Sequence, residues 1–480
     1  MAAPTVQRFA LNFWTLTVSR ILYRAVSVGV AMYLARSLGA AVLGEYATVL
    51  NVLTLYLAFA DLGVTNLVIR DVSRDTSLSA DYLDNFFGLQ LLVGVALVFL
   101  ILGTGWISGY SELLIIALFI GSFGPLFSGL SNAYQGLMNA QQLFYPFAVI
   151  EIVCMLVFLA GNVLVVLLGG ALLELVAVTS VVSLVKYALG AMWARRFGMR
   201  VRRRWDAELI RGMMTAGLPF LLINGAHFAI QRMDVLFLSW TVSEDRVGMY
   251  AAASRLIFAS LFLVSSVGAM LYPQFSKALQ EHRERAAELY ARSTVYLTIA
   301  GGVTGLLFWQ LAPHITAILY GEAFAESARI LQILGLFIPL FSLGLAASNV
   351  LMVSDAVRHA VYASVIGLLA GAAASPYLIA LYEIQGAAYA VLIAEAVAAV
   401  LYIGYTRRQL GFALPWRKLA AAALSCALPP MLLSLAGGET GWLQAGAGIA
   451  ACMLLLFATR VLTRTDVKHV AALAGFRRVS

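Results

Sequence analysis

LARSLGAAVLGEYATVL, residues 34–50, returns as LSWTVSEDRVGMYAAAS at 238–254, with Leu34, Gly44 and Tyr46 aligned on Leu238, Gly248 and Tyr250. GPLFSGLSNAYQGLMNAQ (124–141) returns as IPLFSLGLAASNVLMVSDA (338–356), placing Pro125 and Ser128 on Pro339 and Ser342, and Leu137 and Met138 on Leu351 and Met352, at one offset. The basic ARRFG at 194–198 finds its counterpart in RRQLG at 407–411. Matches in the same order mark a duplication, and its unit is six hydrophobic segments. Because six is even, both copies enter a membrane in the same sense, which predicts two pseudo-symmetric six-helix bundles related by an axis along the membrane normal.

The rest of the chain requires a membrane. Hydrophobic residues make up 62% of the 480 positions and charged residues 12%, with a mean hydropathy of +0.89, too little polar surface for a soluble globule. Apolar runs of 18 or more residues recur throughout without the alternation of a membrane barrel, so helices are the spanning element. We place fourteen spans at 10–35, 43–69, 83–105, 112–138, 143–168, 171–194, 212–240, 247–274, 289–310, 328–353, 359–381, 385–406, 417–436 and 441–461. The domain reading follows: 1–194 carries helices 1–6, 195–211 is a basic cytoplasmic linker, 212–410 carries helices 7–12, and 411–480 adds helices 13–14 and a tail. The first span is longer than a signal-peptide core and contains charges, so it reads as retained.

Most of the 32 Lys and Arg residues fall in segments on one side of these spans, including ARRFGMRVRRRW (194–205) and TRRQLG (406–411). Basic residues resist translocation, so both termini are expected in the cytoplasm. The net charge of +8 is then a topology signal, and no nucleic-acid partner is expected. The segment KALQEHRERAAELYARS (277–293) reads as a cytoplasmic helix lying at the lipid headgroups. Cys154, Cys426 and Cys452 stand singly in apolar runs without metal-ligand spacing, and no nucleotide-binding or hydrolase motif occurs. No metal or cofactor is expected, and the chain reads as a transporter, not an enzyme.

The order of RSLGAAVLGEYATVLNVLTLYLAFADLGVTNLVIRDVSRD (36–75), the GMYAAASRLIF echo (248–258), the PLFS repeat and fourteen spans resembles the oligosaccharide flippase (Wzx-type) branch of the multidrug/oligosaccharidyl-lipid/polysaccharide exporter superfamily, over about residues 8 to 410. The resemblance implies an all-α polytopic fold with a V-shaped central cavity between the two bundles, plus two extra C-terminal helices. It also implies carriage of an undecaprenyl-pyrophosphate-linked glycan, an O-antigen, capsule or exopolysaccharide repeat, across the bacterial cytoplasmic (inner) membrane. The partners implied are that glycan lipid, membrane lipids, and polysaccharide polymerase or glycosyltransferase machinery. In the sibling lipid II flippases, basic residues of the first and eighth spans are thought to meet the pyrophosphate; Arg24 and Arg255 occupy similar spans here.

The intramembrane polar residues support an anionic cargo independently. Arg20 and Arg24 lie four apart on one face of the first span. A guanidinium at mid-bilayer costs roughly 2.5–3.5 kcal/mol on insertion scales, so it is expected to face a cavity or a partner. Its fork suits phosphate oxygens. The second span presents Asn51, Thr54, Asp61 and Thr65 within about an 80° arc. The seventh adds Asn224, His227, Gln231 and Asp234 with Arg232 nearby, and the eighth Arg255. Candidate cavity residues are therefore Arg20, Arg24, Arg232, Arg255, Asn51, Asn224, His227 and Gln231. Asp61, Asp234, Glu151 and Glu395 are candidates for proton or sodium coupling. Structural pairing of Arg20 with Asp61, or of Arg232 with Asp234 or Asp61, stays open. A multidrug or metabolite antiporter of the same fold is the competing function, though its cavity should carry carboxylates and aromatics, and a lipid II flippase is the alternative ranked after it.

Overall fold

The computed structural model describes residues 6–141, 143, 145–202, 205–230, 232–354, 356–435, 442–459 and 461. Within its helices some side chains, among them those of 6–21, 24, 25, 222–224 and 226–228, fall outside that description. Sixteen α-helices and two short 3-10 turns, with no strand, occur among the described residues. They are α1 (Val6–Ala60), α2 (Val64–Arg74), α3 (Ser79–Ile107), α4 (Glu112–Ala140), α5 (Tyr145–Leu167), α6 (Leu172–Arg196), α7 (Ala207–Ile230), α8 (Met233–Ser239), α9 (Glu244–Glu281), α10 (Arg283–Tyr320), α11 (Ala325–Gly335), α12 (Phe337–Val353), α13 (Val357–Tyr382), α14 (Ile384–Leu410), α15 (Trp416–Leu435) and α16 (Trp442–Ala458). Helices dominate because lipid offers no partners for backbone N–H and C=O groups, which must be satisfied within the segment.

Among the described residues, nine helical segments are long and apolar enough to cross a membrane. The first two expected spans run together as α1, which turns at Gly39 (φ 81, ψ −179), a backbone conformation that favours glycine. Three expected spans are broken. The second stops at Ala60 and resumes at Val64 through Leu62 (φ 49) and Gly63 (φ 72). The seventh is divided into α7 and α8, and the tenth into α11 and α12 at Leu336. The headgroup helix expected at 277–293 is also corrected. His282, in extended backbone (φ −153, ψ 117), divides that segment between the end of α9 and the start of α10. Both neighbours are long helices, so the basic residues prolong spans and do not form a separate element.

The chain gathers into two compact units, Met1–Ala252 and Ala253–Ser480. In the first, α4 packs on α3 and α6, and α1 packs on α4 and α5. In the second, α14 packs on α12 and α13, while α15 and α16 pack on α10 and on each other. Division by packing differs from division by repeat, because α7 and α8 stay with α1, and Arg202, Trp205 and Asp206 of the connector are clasped to α3. Asp84 accepts a hydrogen bond from the Arg202 N–H, and Asn85 Oδ1 accepts from the Asp206 N–H at 2.6 Å. Trp205 lies over Gly88, and Asp206 Oδ1 caps α7 through the N–H groups of Glu208 (2.9 Å) and Leu209 (3.2 Å). Asp84 and Asn85 are buried.

Removing a buried acceptor leaves its donor unsatisfied, so Asp84→Ala should cost about 1–3 kcal/mol. It should also speed tryptic cleavage after Arg200 and Arg202. A melting temperature and digestion rate equal to wild type would refute the clasp. The turn after α2 is held by Asp75, which accepts from the Ser77 N–H (2.9 Å) and hydroxyl (2.7 Å). These bonds hold its carboxyl below the usual carboxylate range.

Where the opening motif repeats, the two copies touch. α1 just beyond Gly39 crosses the start of α9 with Gly44 and Gly248 at the contact. A Cβ on Gly44 would overlap the Glu244 carbonyl and stand 2.8 Å from the Gly248 nitrogen. A Cβ on Gly248 would overlap the Ala40 carbonyl and stand 3.0 Å from the Gly44 nitrogen. Tyr46 and Tyr250, the matched tyrosines, are both fully buried.

Candidate functional site

Polar side chains converge in the first unit where α1, α8 and the start of α9 meet. Arg232 precedes α8 in a non-helical conformation (φ −134, ψ −15), because the seventh span breaks there. Its Nη1 donates to Asn51 Oδ1 at 3.2 Å, and Asn51 Nδ2 donates to the Ala47 carbonyl at 2.7 Å. The amide is thereby oriented with its oxygen toward the guanidinium. Asn51 is 7% exposed and Arg232 half-buried.

Asp234, 1% exposed, lies close enough to Arg232 for their charges to attract. Its carboxylate oxygens are engaged elsewhere: Oδ2 accepts from the Tyr250 hydroxyl at 2.6 Å and Oδ1 from the Val235 N–H at 2.8 Å. The second bond places a negative charge at the N-terminus of α8, where the helix dipole favours it. Tyr110 and Ser239 hydroxyls meet at 2.6 Å near the other end of α8.

The break in the second span redirects two further residues. Asp61 no longer continues the face begun by Asn51. It accepts a hydrogen bond from the Thr65 hydroxyl, while the Val64 N–H bonds to the Asp61 carbonyl at 3.0 Å. Thr54 donates back to the Leu50 carbonyl at 2.6 Å. Leu62, in the left-handed region without being glycine, carries strain on the order of 1–3 kcal/mol. Gly217 of α7 packs directly on this turn, where a Cβ would overlap the Leu62 carbonyl.

Other candidates lie apart. Arg255, on α9 in the second unit, is half-buried beside Tyr320 of α10. Glu151 on α5 is half-buried near Tyr23 of α1. Glu395 on α14 is 6% exposed and has no hydrogen-bond or ion-pair partner among the described residues. The side chains of Arg20, Arg24, Asn224 and His227, and all of Gln231, lie outside the described residues. Among the described residues, no group of three or more His, Cys, Asp or Glu side chains could hold a metal.

Sequence reasoning passed over Tyr250, the anchor of Asp234, although the repeated Gly–x–Tyr pattern had already marked it. It also passed over Gln90 of α3, fully buried with neither amide atom hydrogen-bonded among the described residues. Nothing in the local sequence separates that glutamine from a lipid-facing one.

The model of a polysaccharide biosynthesis protein family matches residues 33–329. No curated protein matches the chain. Among solved structures, the chain is similar to the lipid II flippase MurJ in an inward closed conformation, at 14% identity, covering 94% of this chain and 99% of that one with a TM-score of 0.74. It is also similar to an inward-facing multidrug resistance MATE family transporter of the MOP superfamily, at 15% identity, covering 83% and 98% with a TM-score of 0.68. A MOP superfamily transporter from Pyrococcus furiosus with reverse polarity of its binding pocket is similar at 15% identity over 84% and 95%, with a TM-score of 0.55. These likenesses establish the fold: an all-helical, multi-pass membrane protein.

Proposed function

We propose, from the premise that the chain belongs to the polysaccharide biosynthesis protein family, that it is a flippase for an undecaprenyl-pyrophosphate-linked oligosaccharide, moving it from the inner to the outer leaflet of the bacterial cytoplasmic membrane. The observation that carries this reading is the family match over residues 33–329, and guanidinium groups within the apolar spans suit an anionic cargo. The Arg232 guanidinium donates to Asn51. A phosphate oxygen is a stronger acceptor than an amide oxygen, so a pyrophosphate would displace Asn51 and gain a charge-assisted bond. Arg20 and Arg24 are assigned to the same anion, with Asn224, His227 and Gln231 as partners for sugar hydroxyls.

Both termini are placed in the cytoplasm on the basis of the loop charges. The two six-helix repeats alternate exposure of the site. With the interior negative, outward movement of two phosphate charges is favoured by roughly 4.6 kcal/mol per 100 mV, about 2.3 per charge. Asp61 and Asp234 are already engaged in local hydrogen bonds, and Glu151 sits beside Tyr23. Glu395, buried and without a described partner, is therefore the proton or sodium candidate we favour. No cofactor is needed, and the glycosyltransferases and polymerase of the same pathway are the partners on the two faces.

The test is depletion in the host. Lipid-linked oligosaccharide should collect on the cytoplasmic leaflet and clear on re-expression of wild type. Arg24→Ala should export at least about tenfold less, the loss of one charge-assisted contact of roughly 1.5–3 kcal/mol, with Arg24→Lys intermediate. Full export by Arg24→Ala would remove that arginine from the site. Accumulation of lipid II instead would reassign the cargo.

A further inference from the structure

Cys426 and Cys452 are 26 residues apart in sequence, yet α15 and α16 bring their Sγ atoms to 3.5 Å, within the range of a thiol–thiol hydrogen bond. Both cysteines fall in mid-helix. Cys426 is ten residues beyond Trp416 and Cys452 ten beyond Trp442, roughly 15 Å from each helix start at 1.5 Å per residue, so the pair lies deep in the apolar layer. A third helix completes the seat: Gly302 of α10 lies against Cys426, where a Cβ would stand 2.9 Å from its Sγ. Cys452 is fully buried and Cys426 partly so. The remaining cysteine, Cys154, is buried in the first unit with its thiol directed at the Val182 carbonyl, 3.8 Å away.

We propose that Cys426 and Cys452 form a modification site, an intramembrane dithiol that a hydroperoxide oxidises to a disulfide joining α15 to α16. The sulfurs already touch, so bonding them closes a contact without carrying one helix past another. Cys426, the more exposed, attacks the terminal oxygen of the hydroperoxide ROOH. The O–O bond breaks, a sulfenic acid forms on Cys426, and the alcohol ROH leaves with the thiol proton. Cys452 then attacks that sulfur; the S–O bond breaks, and the hydroxyl leaves as water with the proton of Cys452. Each sulfur loses one electron, and the peroxide bond gains both. Depth selects the oxidant. A charged disulfide such as oxidised glutathione is kept out of the hydrocarbon layer by the cost of desolvating its charges, whereas a hydroperoxide is uncharged and enters it. The pair lies outside the duplicated six-helix units, so the covalent tie spans the two C-terminal helices alone.

The test counts free thiols in the full chain within native membranes and does not need the cargo. After cumene hydroperoxide and then denaturation, maleimide tags should fall from three per chain to one, on Cys154. The untagged chain should be lighter by two hydrogen atoms, and dithiothreitol should restore all three tags. Cumene hydroperoxide should act at least about tenfold faster than oxidised glutathione. Hydrogen peroxide, run beside it, separates two sources of the same chemistry: a faster reaction than with cumene hydroperoxide assigns aqueous peroxide, a slower one lipid hydroperoxides. Cys426→Ser and Cys452→Ser should each abolish the loss of hydrogen. Three tags retained by the wild type, tags lost with a gain of oxygen on separate sulfurs, or equal rates with oxidised glutathione would each overturn the site. So would a disulfide that still forms in either serine variant.

Discussion

Asp234→Ala should destabilise the folded protein by about 2–4 kcal/mol. Two losses add: the Tyr250 hydroxyl, fully buried, is left without its acceptor, at about 1–3 kcal/mol, and α8 loses an N-terminal acceptor worth roughly 1 kcal/mol. Asp234→Asn retains an oxygen for one donor and an amide that can reach the tyrosine oxygen, so most of the stability should return. Thermal unfolding of detergent-solubilised protein measures both. A wild-type melting temperature for the alanine variant would show that the Tyr250 bond is not made. The asparagine variant also separates structure from coupling: a stable protein that transports normally leaves Asp234 as a positioning residue, while a stable but inactive one makes it an ion-coupling group.

Gly217→Leu should be as damaging or worse, at about 3 kcal/mol, because the new side chain meets backbone and not a movable side chain. Its Cβ would overlap the Leu62 carbonyl and lie 3.4 Å from the Gly63 carbonyl carbon, in a turn already strained at Leu62. Gly212→Leu on the same helix, with nothing within 4 Å of its Cβ, is the control and should behave as wild type. The readout is the fraction of monodisperse protein after extraction. Equal yields from the two variants would mean that α7 does not need to approach the broken second span.

These two sites show why some of the fold was legible and some was not. Span positions could be read because the membrane imposes a length and a hydropathy on every helix. The glycine crossing was foreshadowed by the repeat, since Gly44 and Gly248 matched before any contact was known. The breaks were not foreseen. ADLGV at 60–64 is as apolar as its surroundings apart from Asp61, and in lipid an apolar run has no periodicity to lose when a helix stops. The break at Arg232 was hidden for a different reason: an arginine read as a cavity residue also stands outside regular helix.

The site was legible as a composition and not as a set of partners. Arg232, Asn51 and Asp234 were all picked from intramembrane polarity, but only the structure shows that Arg232 pairs with the amide and Asp234 with Tyr250. Long-range pairs of this kind leave no local trace, since Arg232 and Asn51 are 181 residues apart. The clasp of Asp84 and Asn85 on the connector escaped notice for the same reason, at separations of 118 and 121 residues.

Reconstitution tests the central claim most directly. The purified protein is placed in vesicles carrying a fluorescent undecaprenyl-pyrophosphate-linked oligosaccharide, and a membrane-impermeant reductant is added outside. Without protein, only the outer-leaflet label should be quenched. With it, nearly all the label should be quenched as inner-leaflet lipid reaches the surface, and the vesicles should stay impermeable to the reductant itself. Quenching no greater than in empty vesicles, from protein that instead moves a small organic cation, would contradict the account and return the chain to the antiporter reading.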